Sequence, residues 1–460
     1  MNPIRKILIV AVLLTVVVGV MVRQGLQMVQ DGAEAYIFGY PLVLMETSRQ
    51  VMTRSPGENA PLNHFRHVQY FPDHQFRKVV RPNNDTLYST AWIDLDREPM
   101  VLSVPDSGGR YYVMPFMDAW TNVFAMVGKR TTGTGPGHFL IAGPDWQGEV
   151  PSGTRLIRSP TRMTWLIGRI QTNGQGDFEN VFRLQAQFLL TPLSRWPGGP
   201  ANEAYTFRKD IPGGLSDNPS ATVAGMSAAT FYGTLCRLMA DQPPAAEDAP
   251  MLERLAPFGI VPGASFELNR LGFIRRLVLE KSLVIARQKI AEVAESDRSS
   301  ENGWAVIRQD IGNYGTNYKV RALVALLGLG ALPPEEAAYP NSEKDHTGRA
   351  LAGSNRYRIH FEAGKTPPVN AFWSLTLYDQ QGFLIDNPIR RYAIGDRDPL
   401  AFNPDGSLDI LIQQAQPAET MTNWLPAPAR NFAVTLRLYM PKPEFLEGRW
   451  KLPLIERLSE

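Results

Sequence analysis

The chain has 460 residues, with 47 Lys and Arg residues against 45 Asp and Glu residues, so its formal net charge at pH 7 is +2. The charges do not form long blocks of one sign, which excludes the basic patch expected of a nucleic-acid-binding protein. The length allows two or three domains, and 44% hydrophobic residues are enough for real cores. The chain is therefore expected to be globular.

The N-terminus has the pattern of a targeting segment. Arg5 and Lys6 precede an uncharged run, 7–22, which Arg23 closes. No Ala-x-Ala cleavage site follows the run, so residues 1–30 are interpreted as a signal anchor in preference to a cleaved signal peptide, with a buried core helix as a third alternative. Basic residues before such a run stay in the cytoplasm. The predicted location is the inner membrane with the globular part in the periplasm, or the periplasm alone after cleavage.

Residues 31–157 predict one helix followed by short strands. Apolar residues recur at helical spacing over 31–52, where Pro41 should kink or divide the helix. Residues 57–76 are rich in Pro, Asn and His and predict an irregular loop. Short apolar runs separated by turn residues then favour a sandwich or barrel. The predicted strands are 87–95, 100–104, 110–117, 122–127, 137–142 and 154–157.

A helical block and a second group of strands follow. The lone cysteine, Cys236, fits the apolar face of a helix and is interpreted as a core residue. The predicted helices are 226–239, 270–295 and 304–329. In the second helix a charged, solvated face surrounds the apolar residues Ile274, Leu277, Leu283 and Ile290. The predicted strands are 357–361, 371–378, 408–412 and 433–439.

The polar segment before the first strand is a candidate site. Asn83, Asn84, Asp85 and Tyr88 place four hydrogen-bonding side chains where a half-buried strand begins. Polar groups in such a place need partners. Two interpretations are open: these side chains cap backbone groups at a strand crossover, or they line a cleft and orient a ligand.

A second candidate site follows the strand that Arg110 begins. Asp118 and Asn122 lie in the turn beyond it and could converge with Asp85 on one cavity, with Arg110 orienting the substrate. If the two carboxyl groups approach closely, one would be protonated near neutral pH and serve as a general acid. Turn formation by Asp118 and Asn122 is the structural alternative.

The sequence contains no motif for a phosphate loop, a serine nucleophile elbow or a His-Glu-x-x-His metal helix. His64, His67 and His74 are close together along the chain. Without a nearby cysteine or a convincing set of carboxylates, they favour local hydrogen bonding over a metal site. No metal and no organic cofactor is predicted.

Several motifs carry a resemblance to bacterial protein families. Segments 81–88 (RPNNDTLY) and 110–122 (RYYVMPFMDAWTN) resemble domain of unknown function 1254. Segments 314–322 (YGTNYKVRA), 367–379 (PPVNAFWSLTLYD) and 423–428 (NWLPAP) resemble domain of unknown function 1214. The resemblance implies two β-rich domains with a helical insertion, the second jelly-roll-like. It supplies no catalytic residue.

The predicted fold is therefore mainly β with a helical insertion, in which two β-sandwich or jelly-roll-like domains follow an N-terminal hydrophobic segment. The predicted divisions are the anchor or signal peptide at 1–30, a β-rich domain at 31–200, a helical block at 201–333 and a C-terminal sandwich at 334–460.

The second family's motifs add further candidates for ligand binding. Arg321 could bind a ligand carboxylate in a bidentate pair, or bridge a helix to a sheet. Asn423 and Trp424 are the counterpart of the segment around Asp85 near the other end of the chain. A large aromatic residue such as Trp424 serves equally well as core or as ligand platform.

Two functions of different classes are predicted. The first is a cofactor-independent hydrolase or lyase that acts on a small, partly apolar molecule, with Asp85 or Asp118 as acid or base. The second is a non-catalytic envelope protein that binds a small molecule or a glycan. Catalysis needs a titratable group in a perturbed environment, whereas binding needs only shape and hydrogen bonds.

Overall fold

Two β-sandwiches and a group of helices make up the fold. The computed structural model describes residues 3–53, 60–77, 80–198, 205–207, 218–296, 299–417 and 422–458, and for some of these, including 3–14, the backbone alone. The first elements are α1 (Pro3–Thr53), β1 (Arg66–Val68), β2 (Thr86–Asp94), β3 (Met100–Val104), β4 (Tyr112–Asp118), β5 (Val123–Gly128), β6 (Gly137–Ala142), β7 (Arg155–Arg158) and β8 (Met163–Gln171).

The middle of the chain is mainly helical and the last part is mainly β. The middle elements are α2 (Phe178–Gln185), β9 (Leu189–Pro192), β10 (Tyr205–Phe207), α3 (Pro219–Ala224), α4 (Ala228–Asp241), α5 (Ala249–Leu255) and α6 (Phe273–Ser296). The last are β11 (Ser299–Glu301), β12 (Trp304–Val306), α7 (Tyr318–Gly328), β13 (Ala337–Ala338), β14 (Asn341–Ser342), β15 (Arg356–Phe361), β16 (Val369–Asp379), β17 (Ala393–Gly395), β18 (Leu408–Gln413), β19 (Trp424–Pro426), β20 (Phe432–Pro441), α8 (Pro443–Leu446) and β21 (Ile455–Leu458).

The first sandwich is built from two sheets that share one core. One sheet has the strand order β10-β1-β2-β8-β4-β5 and the other β7-β6-β3-β9. Phe116 and Ile170 of the first sheet lie in the same buried cluster as Leu102 and Phe139 of the second. Since side chains alternate along a strand, each sheet turns one apolar face to this core.

The second sandwich has the same construction. Its sheets have the orders β11-β12-β14-β20-β16-β17, with β13 also paired to β20, and β19-β18-β15-β21. Leu375 and Leu436 of one sheet share a core with Ile359 and Ile410 of the other. The two sandwiches confirm the predicted mainly β fold.

The two sandwiches meet through β4, β16 and β20. Tyr111 and Val113 form a buried cluster with Phe372 and Tyr439, away from the core that holds Tyr112. The face of β4 that points away from the core of the first sandwich therefore packs against the second sandwich.

A third core lies among the helices. It joins residues 33–44 of α1 to α4, α5, α6 and α7. Cys236 of α4 is buried in this core, as the apolar spacing around it in the sequence predicted. The predicted division of the chain into domains stays a prediction.

Two expectations about the helices are wrong, and one of the two alternatives for α1 is excluded. Helix α1 is continuous through Pro41, so Pro41 does not divide it, and the adjacent residues Tyr40 and Leu42 are both buried. Ile274 and Leu277 of α6 face solvent, unlike the buried Leu283 and Ile290. Helix 304–329 is divided: residues 304–306 form β12, and α7 begins only after Asn317.

The reason for the last difference is visible in the intervening backbone. Asp310, Gly312 and Gly315 have positive φ angles, which an α-helix does not accommodate. Trp304 belongs instead to the second sandwich, where its Nε1 donates a hydrogen bond to the Pro453 carbonyl at 2.7 Å.

Among the described residues, no helix combines the length and the apolar character needed to cross a bilayer. The run 7–22, predicted from the sequence to be an anchor, lies in α1, and most of its side chains fall outside the described part of the chain.

Candidate functional site

Asp85 lies where the two sandwiches meet. Its side chain is 1% exposed, forms an ion pair with Arg397 and accepts a hydrogen bond from Ser374 Oγ at 2.7 Å. Arg397 Nη1 also donates to the backbone oxygens of Asp85 and Thr172, at 3.0 and 2.9 Å. The carboxylate thus ties the start of β2 to the second sandwich.

The two asparagines before Asp85 extend this contact. Asn83 Nδ2 donates to Tyr439 Oη at 2.8 Å, and its Oδ1 accepts a hydrogen bond from the Asp85 N–H at 2.6 Å. Asn84 Nδ2 donates to the Pro72 carbonyl at 3.0 Å. Asn84 Oδ1 is buried and has no hydrogen-bond partner in the described ranges. Asn83 therefore joins the sandwiches, whereas Asn84 fixes the preceding loop.

Arg437 of β20 completes the polar contact. It is buried and donates from Nη1 to Thr376 Oγ1 at 2.7 Å, and from Nη2 to the Arg81 carbonyl at 3.1 Å and to Tyr378 Oη. Tyr378 Oη in turn donates to the Pro82 carbonyl at 2.7 Å. The segment before β2 is thus held by groups from β16 and β20.

Glu336 is a second buried carboxylate at the interface. It accepts hydrogen bonds from Tyr111 Oη at 2.8 Å and Arg130 Nε at 2.6 Å. Burial raises the pKa of Glu336, although the two donors favour the charged form. Its contacts also connect the sandwiches.

Tyr88 and Arg110 are placed separately on the first sandwich. The Tyr88 ring lies 5.3 Å from Cζ of Arg169, whose Nη2 donates to the Gly330 carbonyl at 2.6 Å. Arg110 forms a two-point ion pair with Asp177, at 2.5 and 2.8 Å. Both of these predicted ligand-binding side chains therefore interact with other groups of the protein.

Asp118 organises the turn after β4. Its Oδ1 accepts the backbone N–H groups of Trp120 and Asn122 at 2.9 and 2.8 Å, and its Oδ2 accepts Asn122 Nδ2 at 3.0 Å. Thr121, between them, has a positive φ angle. Burial raises the pKa of Asp118 to about 6. These contacts agree with the alternative interpretation, in which Asp118 and Asn122 form a turn.

Arg321 of α7 is enclosed by aromatic rings and is 2% exposed. Its Cζ lies 5.5, 5.2 and 5.1 Å from the ring centres of Phe38, Trp120 and Tyr318. Nε and Nη2 are buried without a hydrogen-bond partner among the described residues, and burial lowers the pKa of Arg321. Because Trp120 follows β4, Arg321 links the helices to the first sheet.

Asn423 and Trp424 belong to the second sandwich. Asn423 Oδ1 accepts the Ala401 N–H at 2.9 Å, and its Nδ2 donates to the Ala401 carbonyl at 2.6 Å. Trp424 Nε1 donates to the Gln413 carbonyl at 2.9 Å. Both side chains are buried, so they support the fold at this point.

The structure does not bring Asp85 and Asp118 together. The Asp85 carbonyl accepts the N–H of Thr172 at 3.0 Å, just beyond β8, whereas Asp118 pairs with Thr164 near the other end of that strand. Eight residues separate these two partners, which corresponds to about 26 Å along a strand. The predicted convergence on one cavity is absent.

A different place offers room for a ligand. A cleft of about 360 Å³ lies between α1, α4 and the ends of β2 and β8. Seven of its fifteen lining residues are ionisable, so it is much more polar than a usual small-molecule pocket. The charges of Arg49 and Glu46 neutralise each other, because the two side chains form an ion pair at 2.7 Å. Arg162 likewise pairs with Asp96 at 3.2 Å.

Other polar groups of the cleft have no such partner. Trp92 stacks on Trp165 at 4.8 Å, yet its buried Nε1 makes no hydrogen bond within the described ranges, whereas Trp165 Nε1 donates to Thr90 Oγ1 at 2.8 Å. Arg237 and Asp241 of α4 likewise form no hydrogen bond or ion pair with a described residue. A buried donor left without a partner costs about 1–3 kcal/mol, so an acceptor that reached the Trp92 N–H would be favourable.

The three neighbouring histidines have separate partners. Nδ1 of His64 contacts a backbone carbonyl at 2.8 Å, Nδ1 of His67 contacts Ser89 Oγ at 2.9 Å, and Nδ1 of His74 contacts Tyr392 Oη at 3.1 Å. Burial lowers the pKa of His67 to about 4. In the part of the chain that the structure describes, no three metal-ligating side chains come together.

Sequence reasoning missed the residues that pair with the polar segment and those that line the cleft. Arg437 carried a signal, because a single arginine inside the apolar strand β20 needs a buried partner. Arg397 lies in a turn-rich segment and gave none. Arg237 and Asp241 have the appearance of solvated helix charges, and Trp92 that of a core residue.

The fold and its interface define a protein of two β-sandwiches joined by buried polar contacts. Residues 62–192 match the family described as protein of unknown function DUF1254, and residues 336–443 match protein of unknown function DUF1214. The chain belongs to the proteins that carry these two domains in this order, as the resemblance predicted.

A solved structure shares this architecture. The VPA0106 protein from Vibrio parahaemolyticus is 26% identical, with a TM-score of 0.68 over 94% of this chain and 100% of that chain. An uncharacterized protein from Burkholderia cenocepacia is 13% identical, with a TM-score of 0.43 over 95% of this chain and 96% of that chain. No curated protein matches the chain.

Proposed function

We propose that the protein is a membrane-tethered binding protein of the cell envelope, which holds a small, zwitterionic and partly apolar molecule in the cleft between α1, α4 and the first sandwich. The observation that carries this proposal is the set of polar groups around one space: the buried N–H of Trp92, which has no hydrogen-bond partner among the described residues, and the exposed, opposite charges of Arg237 and Asp241.

The chemistry of the walls indicates the class of ligand. Arg237 offers a carboxylate two parallel hydrogen bonds, and Trp92 can donate to the same group. Asp241, one helical turn after Arg237, offers an acceptor for an ammonium group. Leu42 and Met45 of α1 give the cleft an apolar side. A molecule of amino-acid size with an aliphatic part satisfies all these groups.

The hydrolase or lyase alternative has weaker support from the geometry. Asp85 is held by Arg397 and Ser374, and Asp118 by the backbone of its own turn. Both carboxylates are buried and lie about 26 Å apart along the sheet. Neither lines the cleft.

The tether is proposed from the N-terminal sequence. Arg5 and Lys6 followed by the run 7–22 fit an anchor whose globular part faces the periplasm. Large apolar side chains of α1 beyond that run, Leu26 and Val29, are also exposed. Such a surface requires lipid or another apolar partner.

Three probes with the same branched chain test the ligand class by isothermal titration calorimetry of the full chain. L-leucine carries both charges, 4-methylpentanoate lacks the amine and 3-methylbutylamine lacks the carboxylate. We expect L-leucine to bind most tightly. Arg237→Gln and Asp241→Asn should each weaken it by about ten-fold or more, since each removes a hydrogen bond to a charged group.

Arg195→Gln is the matched control, because Arg195 is exposed, lies outside the cleft and has no hydrogen bond to a described residue. It should leave the affinity unchanged. Absence of L-leucine binding, or equal affinity for all three probes, would refute the proposed ligand class.

A further inference from the structure

The first turn of α6 presents apolar side chains to solvent. Phe273 is 69% exposed, Ile274 64% and Leu277 41%. Arg275 and Arg276 lie among them, and neither forms an ion pair with a described residue. These five residues are here called the α6 patch. A soluble surface rarely combines adjacent large apolar side chains with unpaired arginines unless a partner covers them.

The α6 patch lies beside the point where α1 leaves the helical core. A Cβ on Gly32 would lie 2.6 Å from Val278 Cγ1, and Arg287 Nε donates to Tyr36 Oη at 3.3 Å. Later residues of α1 thus contact later residues of α6, so the two helices run in the same direction. The beginning of α6 is therefore level with α1 near Leu26, which is 68% exposed.

We infer that the α6 patch is a second membrane contact, which rests on the bilayer surface next to the anchor. This inference depends on the proposed tether. Phe273 and Ile274 would enter the boundary between headgroups and acyl chains, and Arg275 and Arg276 would contact anionic phospholipid headgroups. The pairing of an apolar segment with nearby basic residues is the combination that gives stable attachment at an interface.

Two features favour a lipid surface as the occupant. The exposed apolar side chains Val22 and Leu26 of α1 lie at the end of the run 7–22 and just after it, next to the proposed anchor. The nearest acidic residue before the patch, Glu267, is already paired with Arg270 at 2.7 Å, and Glu280 follows only after the patch. The positive charge at this end of α6 is thus available to anionic headgroups.

Single cysteines labelled with a polarity-sensitive fluorophore test the contact. The native Cys236 is buried, so introduced cysteines are labelled selectively in the folded full chain. Ile274→Cys reports on the patch, and Val18→Cys reports on the anchor. Val284→Cys is the matched control, because Val284 is 56% exposed on the same helix but about 15 Å further along its axis.

The labelled proteins are reconstituted into vesicles of phosphatidylethanolamine and phosphatidylglycerol that contain a spin-labelled lipid quencher. We expect a blue shift and strong quenching at 18 and 274, with neither at 284. Replacement of phosphatidylglycerol by phosphatidylcholine should reduce both effects at 274.

The outcomes separate this inference from the tether. Lipid contact at 18 with a water-like signal at 274 would overturn the second contact alone. A water-like signal at 18 would overturn the anchor and, with it, the inference. Equal quenching at 274 and 284 would also overturn it, because the contact would not be confined to the start of α6.

Discussion

At the scale of single residues, the two aspartates singled out in the sequence have opposite surroundings. Asp85 has a cationic partner, Arg397, whereas the direct hydrogen bonds of Asp118 come from neutral donors. The sequence showed that the segment around Asp85 needs partners. It could not name them, because Ser374 and Arg397 lie 289 and 312 residues away.

Asp85→Asn is expected to destabilise the full chain by about 3–5 kcal/mol, because it leaves the largely buried guanidinium of Arg397 without a counter-charge. Urea unfolding followed by tryptophan fluorescence measures this. Arg162→Gln breaks two exposed ion pairs, with Asp96 and Asp145, and should cost less than about 1 kcal/mol. Equal effects of the two substitutions would contradict a joining role for Asp85.

Asp118 should make stability depend on pH. Its pKa is about 6 in the folded chain, against an ordinary value of 3.8. A raised pKa favours the protonated form on folding, so this contribution is complete below pH 3.8 and is lost as the pH rises through about 6. The loss amounts to at most about 3 kcal/mol.

Asp118→Asn removes the titrating group and keeps an acceptor for the backbone N–H groups. The unfolding free energies of wild type and variant, compared by urea titration between about pH 4 and pH 7, should therefore differ most in their pH dependence. Parallel pH profiles of the two proteins would show that Asp118 does not titrate in this range.

At the scale of elements, the turn residues on both sides of β3 and β6 predicted these strands at their observed bounds. The central strand β8 was missed, since it is buried over most of its length and Gly168 and Arg169 interrupt its apolar run. The prediction of a single helix over 304–329 failed for another reason. The apolar residues of this segment belong to two different cores, so one helical spacing cannot describe them.

Gly168 tests the packing of β8. A Cβ at this position would lie 2.7 Å from the Ser89 carbonyl oxygen and would overlap Met114 Sδ. Gly168→Ala should therefore destabilise the chain by about 1–3 kcal/mol in urea unfolding. Gly176→Ala is the control, because a Cβ there meets nothing within 4 Å; an equally small effect of both would mean that β8 tolerates the added atom.

At the scale of the whole molecule, the polar segment 81–88 and the cleft have separate tasks. The segment joins two sandwiches, and the cleft lies between the first sandwich and the helices. The sequence identified the family and the mainly β fold through motifs and strand patterns. The cleft depends on how α1 and α4 approach the sheet, and no local pattern records that approach.

The tether predicts an orientation. Alkaline phosphatase fused to the C-terminus should be active, and green fluorescent protein in the same place should be dark, because Arg5 and Lys6 keep the N-terminus in the cytoplasm. The fusion should also stay in the membrane fraction after alkaline extraction. A fluorescent fusion, or release by alkali, would contradict the proposed anchor.

The most direct test of the proposed ligand site is the indole N–H signal of Trp92 in a nitrogen-15 NMR spectrum of the full chain, assigned by its loss in Trp92→Phe. Titration with L-leucine should shift this signal until saturation, because the unpaired donor gains an acceptor, and Arg237→Gln should weaken the response. A signal that stays unchanged at saturating L-leucine would contradict binding of such a zwitterion in the cleft.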